Sequence, residues 1–452
     1  MSEKTLRESL QAAGLKAVLG YLGDDPDTNI PVLLDFVDRL DRDNILIDQR
    51  QAFHYVVDNP DNNWYRLLRS LWDNVDPEVR KTVFENFIIN AGVIGRNRQE
   101  ANKAKYGCNI PWAILMDPTS ACNLHCTGCW AAEYGSHMNM SYETLDSIVR
   151  QGKELGTFMY IYSGGEPLMR KRDILRLCEE HSDCMFLAFT NATLIDEEFA
   201  KDMLRVKNFV PAISIEGFEE STDARRGPGT YQAVVQAMDI LKRYKLPFGA
   251  SLCYTSQNAE VVGSEAYIDH LIELGCTFAW IFTYMPIGVD APTDLLATAE
   301  QRAFFYQQIR AFRETKQLFT MDFFNDAEYV NGCVAGGRCY LHINANGDIE
   351  PCAFIHYSDS NIHTKTLLEA YQSPLFMQYR SRQPFNGNHL RPCPLLDNEG
   401  LLAEMVRASG AHSTDLEAPE DVSALCAKCH SAGACWEPVA DELWEASQTK
   451  KK

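Results

Sequence analysis

Through the middle of the chain, short apolar runs rich in β-branched and aromatic residues alternate with longer stretches whose apolar positions recur every three or four residues. The short runs fall at 112–116, 158–162, 185–189, 209–215, 248–254 and 278–283. The periodic stretches fall near 141–155, 171–181, 195–206, 229–244, 264–275 and 298–316. The first kind predicts buried strands and the second predicts helices. Repeated strand–helix units predict a parallel sheet with right-handed crossovers, hence an α/β fold. Six units suit a partial (β/α)6 barrel, in which chemistry sits on loops at the carboxyl ends of the strands.

The flanking regions lack this alternation. Before it, helical spacing recurs at Ile30, Leu33, Leu34, Val37 and Leu40, at Trp64, Leu67, Leu68, Leu71 and Trp72, and at Val83, Phe84, Phe87 and Ile88. Turn chemistry separates these patterns, at Asp24-Asp25-Pro26-Asp27 and along 58–63. The aromatic stripes are expected to pack against the next domain, with substrate or membrane docking as the alternative. The segment 91–95, Ala-Gly-Val-Ile-Gly, reads as a linker. From about residue 326 cysteines become dense, and Asn346-Gly347 between alternating apolar positions signals a hairpin. Three domains follow: helical 1–107, a barrel 108–325, and a cysteine-rich module 326–452.

Composition narrows the function. Hydrophobic residues make up 46% of the 452, enough for sizeable cores. A net charge of −20 argues against nucleic acid, whose phosphates need a basic footprint. There is no run of 18 apolar residues to span a membrane, and the first ten residues lack the apolar core of a signal peptide. Fifteen cysteines in a chain without an export signal read as metal ligands in a reducing cytoplasm. The lysines at 450–452 read as a solvated end.

The first predicted strand leads into Cys122-Asn123-Leu124-His125-Cys126-Thr127-Gly128-Cys129. Thiolates are soft ligands for iron–sulfur clusters or zinc, and a closed site of either kind takes four. Cys122, Cys126 and Cys129 are three. Read as a [4Fe–4S] site, they leave one iron open; a zinc knuckle or a chance set of buried thiols is the alternative. After the second strand comes Ser163-Gly164-Gly165-Glu166-Pro167, where paired glycines admit a close approach and Glu166 offers an acceptor for an ammonium.

The CxxxCxxC spacing followed by GGEP resembles the radical S-adenosylmethionine (SAM) superfamily. The resemblance implies that the open iron chelates SAM, that Ser163, Gly164, Gly165 and Glu166 receive its amino group, and that reductive cleavage yields a 5′-deoxyadenosyl radical. Weaker echoes follow. Asn191 ends the third strand where relatives often carry Thr-Asn-Gly, with Ala192 replacing the glycine. Ser214 and Glu216 resemble a stretch whose acid contacts the SAM ribose, and Arg226 resembles an arginine that neutralises the SAM carboxylate. Met285-Pro286-Ile287-Gly288 is placed to lie along adenine. Many relatives carry an aromatic residue before the third cysteine, where this chain has Gly128.

The C-terminal module resembles the SPASM domain, which holds auxiliary clusters. Cys333, Cys339 and Cys352, then Cys426, Cys429 and Cys435, match its spacing; Val439 stands where a further Cys is usual, and Cys393 lies outside the pattern. Seven thiolates complete one all-Cys [4Fe–4S] cluster but not two; zinc in the same set is the alternative. Cys253, Tyr160, Tyr162 and Tyr284 are candidates to give a hydrogen atom to a substrate radical.

The resemblance implies hydrogen abstraction from an unactivated C–H bond, for oxidation or cross-linking of a peptide or protein, with a flavodoxin or ferredoxin as electron donor in an anaerobic cytoplasm. The alternative is radical coupling of lipid acyl chains, with peripheral membrane contact. A third reading is a non-catalytic iron–sulfur electron carrier, in which Gly164-Gly165-Glu166 is accidental.

Overall fold

The protein is described here by a computed structural model covering residues 25–41 and 47–450. Asp24, the signal-peptide reading of the first ten residues, and Lys451 and Lys452 lie outside those residues.

The six predicted strands form as β1 (Ala113–Met116), β2 (Met159–Tyr162), β3 (Met185–Thr190), β4 (Phe209–Ser214), β5 (Gly249–Tyr254) and β6 (Phe278–Thr283). All pair in parallel with their sequence neighbours. The connecting helices start where a side chain can take the free backbone N–H groups of the first turn: Ser141, Asp196, Ser264 and Thr298 each accept from the third residue onward. Their apolar faces press on the sheet. A Cβ on Gly152 of helix Tyr142–Leu155 would lie 2.3 Å from the Tyr160 hydroxyl, and Tyr254 stacks on Phe305 of helix Ala299–Thr315 at 3.9 Å. Side chains alternate along a strand, so the positions between these point into the barrel.

Two additions extend the sheet. A seventh strand, β7 (Phe319–Asp322), pairs with β6. The hairpin at Asn346-Gly347 forms as β8 (Tyr340–Ile343) and β9 (Ile349–Glu350), with Gly347 at φ 87°. Its first strand lies beside β1 in parallel, Ala113 opposite Tyr340 and Met116 opposite Ile343. The hairpin that the sequence places in the C-terminal module is thus part of the barrel sheet, whose order is β7-β6-β5-β4-β3-β2-β1-β8-β9.

The sheet curls. Across a flat sheet β3 and β6 stand about 14 Å apart, three spacings of ~4.8 Å. Yet Phe189 of β3 and Trp280 of β6 meet with ring centroids 5.3 Å apart. Phe323, just past β7, reaches Tyr340 of β8 at 5.6 Å, so the two ends of the curl approach each other.

The N-terminal helices close the other end. Asn63 donates to the carbonyls of Arg313 and Lys316, Asn86 to those of Ser182 and Cys184, and the Asp76 amide to that of Lys245. These carbonyls precede β7, β3 and β5, at the amino ends of the strands. Trp64 meets Phe319 at 5.8 Å and Phe87 meets Trp112 at 5.6 Å, so the aromatic stripes pack on the barrel as expected. The expected linker at 91–95 is instead helical: π-helical Phe84–Gly95 runs straight into helix Arg96–Tyr106. Its glycine is a contact, not a break. A Cβ on Gly95 would sit 2.6 Å from the Gly156 carbonyl oxygen.

Candidate active site

The loops at the carboxyl ends of β1 and β2 are laid flat on each other. Gly165 N–H donates to the Thr119 carbonyl at 3.0 Å and Glu166 N–H to that of Ala121 at 2.8 Å. A Cβ on Gly164 would lie 2.4 Å from the Thr119 oxygen, and one on Gly165 would lie 2.0 Å from the Ala121 oxygen. Backbone cannot yield at those distances, so both positions need glycine. Ser163 bonds the Asp117 carboxylate at 2.7 Å, fixing the start of the second loop to the start of the first.

Cys122, Cys126 and Cys129 are each partly exposed on the first loop. Burial pushes the Cys122 thiol up to about 11 and raises Cys126 as well. Donors nevertheless point at these sulfurs. The Leu124 amide lies 3.4 Å from Cys122 Sγ, Asn191 Nδ2 3.9 Å from the same atom, and Arg226 Nη1 3.7 Å from Cys126 Sγ. A cation and amides suit thiolates better than thiols. Asn191 also holds Asn123 at 2.8 Å, and Ala192 keeps the left-handed backbone of the glycine it replaces, at φ 59°.

Two carboxylates expected to face a ligand are committed to protein. Glu166 is buried and accepts from Leu168 N–H at 2.9 Å, the Thr190 hydroxyl at 2.7 Å and Asn191 N–H at 2.7 Å. Burial raises its pKa against those bonds. Its side chain thus braces the second loop to the third. Glu216 is fully buried and held by Arg225 at 2.8 Å and Arg226 at 2.5 Å. Burial would raise its pKa, but the two guanidiniums outweigh that and lower it. Glu216 therefore positions Arg226 over Cys126, while Ser214 is buried at the end of β4 opposite Ser251. In the Met285–Gly288 segment, Lys428 donates to the carbonyls of Pro286 and Gly288.

Gly128 has φ 66°, and a Cβ there would lie 2.6 Å from a ring carbon of Tyr284. The ring occupies the space a side chain at 128 would need. The Tyr284 hydroxyl is buried without a partner, and burial pushes its pKa up to about 12. Cys253 projects inward on β5, partly exposed, with burial raising its pKa against nearby Arg225. Tyr160 and Tyr162 do not reach the lumen. They point to the helix side, both stacked on Phe186, and the Tyr160 hydroxyl donates to the Val149 and Thr157 carbonyls.

Beside this site lies a buried charged network that spacing did not reveal. His342 has Asp117 at 3.0 Å on Nε2 and Glu350 at 2.6 Å on Nδ1. Burial opposes its charge, but the two carboxylates prevail and hold its pKa at about 10. Glu350 also accepts from Tyr134 at 2.7 Å and Asn344 at 3.0 Å. Trp130, next to Cys129, packs edge-on against His342 at 5.5 Å and Phe354 at 6.1 Å. The hairpin sets His342 opposite Glu350, and the insertion of β8 beside β1 then brings Asp117 to them, which no sequence signal shows.

The C-terminal cysteines divide. Cys333, Cys352 and Cys393 line one apolar cavity with Phe323, Phe354 and Tyr379. Burial pushes Cys333 up to about 11, and the Cys339 thiol beside it raises it further. Cys393, outside the usual spacing, thus joins the set. Cys426 and Cys429 reach the same apolar core from helix Val422–Lys450. Cys435 does not: it is exposed, six residues past Cys429, where ~100° per residue turns it to another face of the helix. Val439 packs with Trp436 instead.

Among the described residues no three His, Cys, Asp or Glu side chains converge closely enough to hold a single metal ion. A cubane takes its thiolates at separate irons, so that spread does not oppose one. Three thiols with donors aimed at sulfur, beside a cradle that excludes any Cβ, fit a SAM-binding [4Fe–4S] cluster. Cys333, Cys352 and Cys393, with Cys339, Cys426 and Cys429 around them, fit an auxiliary one.

Residues 116–263 match the model of the Radical SAM superfamily. The barrel is a radical SAM domain. That family binds a [4Fe–4S] cluster and SAM. An uncharacterised protein of Archaeoglobus fulgidus is 35% identical over 152 residues, 32% of this chain and 36% of that one. The cysteine-type anaerobic sulfatase-maturating enzyme of Clostridium perfringens is 30% identical over 173 residues, 34% of this chain and 46% of that one. The matched region thus spans less than half the length of these two curated relatives. The crystal structure of Streptococcus suis SuiB aligns with a TM-score of 0.53 at 19% identity, covering 64% of this chain and 72% of that one. The radical SAM domain therefore sits in an α/β fold shared with SuiB.

Proposed function

We propose that this chain is a radical SAM enzyme that takes a hydrogen atom from an unactivated C–H bond of a substrate held in the barrel lumen. A [4Fe–4S] cluster with SAM on its open iron supplies, when bound, the reductive cleavage that yields a 5′-deoxyadenosyl radical. Cys122, Cys126 and Cys129 would hold that cluster. Arg226 places positive charge on Cys126, with Glu216 fixing its orientation. Gly164 and Gly165 keep the second loop within backbone distance of the first, where any Cβ would meet the Thr119 and Ala121 carbonyls. Tyr284 closes the flank left open by Gly128. Cys333, Cys352 and Cys393 would hold an auxiliary cluster, with a further thiol from Cys339, Cys426 or Cys429, buried among aromatic rings and suited to electron transfer. A flavodoxin or ferredoxin is the class of donor such a site takes. The sulfatase-maturating relative makes a peptide or protein the first substrate to test.

The observation that supports this reading most is the three-thiol loop with Arg226 and Asn191 aimed at its sulfurs. The test is 5′-deoxyadenosine release by the reduced, reconstituted protein incubated with SAM. The wild-type chain should form it and Cys126→Ala should not. Equal output from both, or none from iron-loaded wild type, overturns the reading, and none from iron-loaded wild type favours an electron carrier.

A further inference from the structure

An indole bridges the two sulfur-bearing regions. Trp130 follows Cys129 directly in the chain, and its ring packs against both the barrel core and the core of the C-terminal module. The turn that carries it is fixed: Cys129 N–H donates to the Cys126 carbonyl and Ala132 N–H to that of Cys129, each at 3.3 Å. On the other side, Phe354 lies two residues past Cys352 and lines the cavity shared by Cys333, Cys352 and Cys393. Its amide points at Cys352 Sγ, 3.5 Å away. The two rings meet edge to face, with centroids 6.1 Å apart and planes at 81°. That geometry is a favourable aromatic contact. From Cys129 to Cys352 the route is therefore bonded backbone, one ring contact and one hydrogen bond.

The surroundings hold the indole in that pose. His342 at 5.5 Å, His356 at 6.0 Å and Tyr134 at 6.3 Å pack against it. Each of these is anchored in turn. Tyr134 bonds Glu350, His342 lies between Asp117 and Glu350, and His356 bonds Asp415 at 2.5 Å. The charge around the indole is thus paired, histidine against carboxylate. At the far end, Phe354 gathers rings from three directions: Trp130 from the first loop, Phe282 of β6 and Phe323 from just past β7. Tyr340 closes the set, its hydroxyl 2.7 Å from Cys352 Sγ. Aliphatic side chains would fill the same space. Electrons, however, tunnel farther through bonds and packed rings than across a gap, and an apolar shell sets the solvent access on which a cluster's potential depends.

We infer that Trp130 and Phe354 form an electron path between the two sites, leading from a reduced auxiliary [4Fe–4S] cluster at Cys352 to the cluster held by Cys129. This rests on the radical SAM reading. One electron leaves the auxiliary cluster, which is oxidised, and arrives at the open-site cluster, which is reduced. No bond forms or breaks in that step. Trp130 and Phe354 are positioning residues, acting through the cysteines beside them.

The test reduces the reconstituted full chain, removes the reductant by gel filtration and adds SAM. Each SAM cleaved consumes one electron. The first equivalent of 5′-deoxyadenosine draws on the electron already at the open site. A second equivalent must draw on the auxiliary site, whose electron paramagnetic resonance signal then fades in step. Wild type should show both. Trp130→Leu and Phe354→Leu should each slow the second equivalent and the fading at least tenfold, and Trp130→Phe should keep most of the rate. Iron content, and the change SAM makes in the open-site signal, should match wild type in all three variants. Where one leucine variant loses iron, the other decides. A second equivalent as fast in the leucine variants as in wild type overturns the inference. So does wild type whose auxiliary signal is missing or outlasts SAM cleavage. Loss of iron from both leucine variants makes the rings supports rather than a path and overturns it too. The radical SAM reading survives each of these results; it falls only if iron-loaded wild type forms no 5′-deoxyadenosine.

Discussion

Two sulfur-bearing regions of the molecule differ in nearly every physical respect. The loop carrying Cys122, Cys126 and Cys129 is half exposed, sits beside a glycine cradle, and has a guanidinium and an amide aimed at its sulfurs. The cavity carrying Cys333, Cys352 and Cys393 is walled by Phe323, Phe354 and Tyr379, and burial drives its thiols' pKa values upward. A site meant to exchange a ligand needs access and donors. A site meant only to pass electrons gains from exclusion of water. The difference teaches that the same residue type serves two roles here, set by surroundings. It also distinguishes Cys393, which lines the cavity, from Cys435, which is exposed on its helix.

The comparison can be broken in order of expected effect. Cys126→Ala should remove the iron of the open site and all 5′-deoxyadenosine formation, while iron held by the C-terminal cysteines remains; iron analysis with Mössbauer spectroscopy reads both. Cys393→Ala should do the converse, losing the auxiliary cluster while SAM cleavage continues. If instead Cys393→Ala retains every iron, Cys393 is not a ligand of the auxiliary site.

His342 joins the two regions, and its removal should act on stability. His342→Gln leaves Asp117 and Glu350 buried without their cation, at a cost of about 3–5 kcal/mol in urea unfolding. The pH dependence has a definite sign. The folded pKa of about 10 stands above the ordinary value near 6.5, so this contribution is full below ~6.5 and is lost as pH rises through about 10. Wild-type unfolding midpoints should fall between pH 7 and 10, and the variant's should fall less. Arg226→Ala removes a charge-assisted contact worth about 1.5–3 kcal/mol, so kcat/KM for SAM should drop about 10–100-fold. Cys435→Ser, on an exposed helix face, should leave both clusters intact and change stability by less than about 0.5 kcal/mol.

Much of the frame was legible because local pattern carries it. Each predicted barrel strand formed within a residue or so of its place, since a buried parallel strand reads as an apolar run. The Cys122–Cys129 loop and the paired glycines were legible because their spacing is itself the chemistry. What escaped depends on long-range assembly. β7, Phe-Thr-Met-Asp, is four residues with no apolar run to mark it. Gly92 and Gly95 read as breakers, whereas Gly95 permits a backbone approach visible only in three dimensions. The commitment of Glu166 was hidden for the same reason, since Thr190 and Asn191 come from the next loop, whereas Glu216 pairs with Arg225 and Arg226 within its own connection. Tyr160 and Tyr162 were placed near the site by proximity to a strand end, while the two-residue period of the strand turns them to the helices.

Electron paramagnetic resonance of the reduced, anaerobically prepared Cys393→Ala protein, with metal content counted and spectra taken before and after adding SAM, tests the central claim most directly. An open iron corner predicts a [4Fe–4S] signal whose shape and g-values change when SAM binds. A signal indifferent to saturating SAM, or stoichiometric zinc in place of iron at Cys122, Cys126 and Cys129, would contradict it.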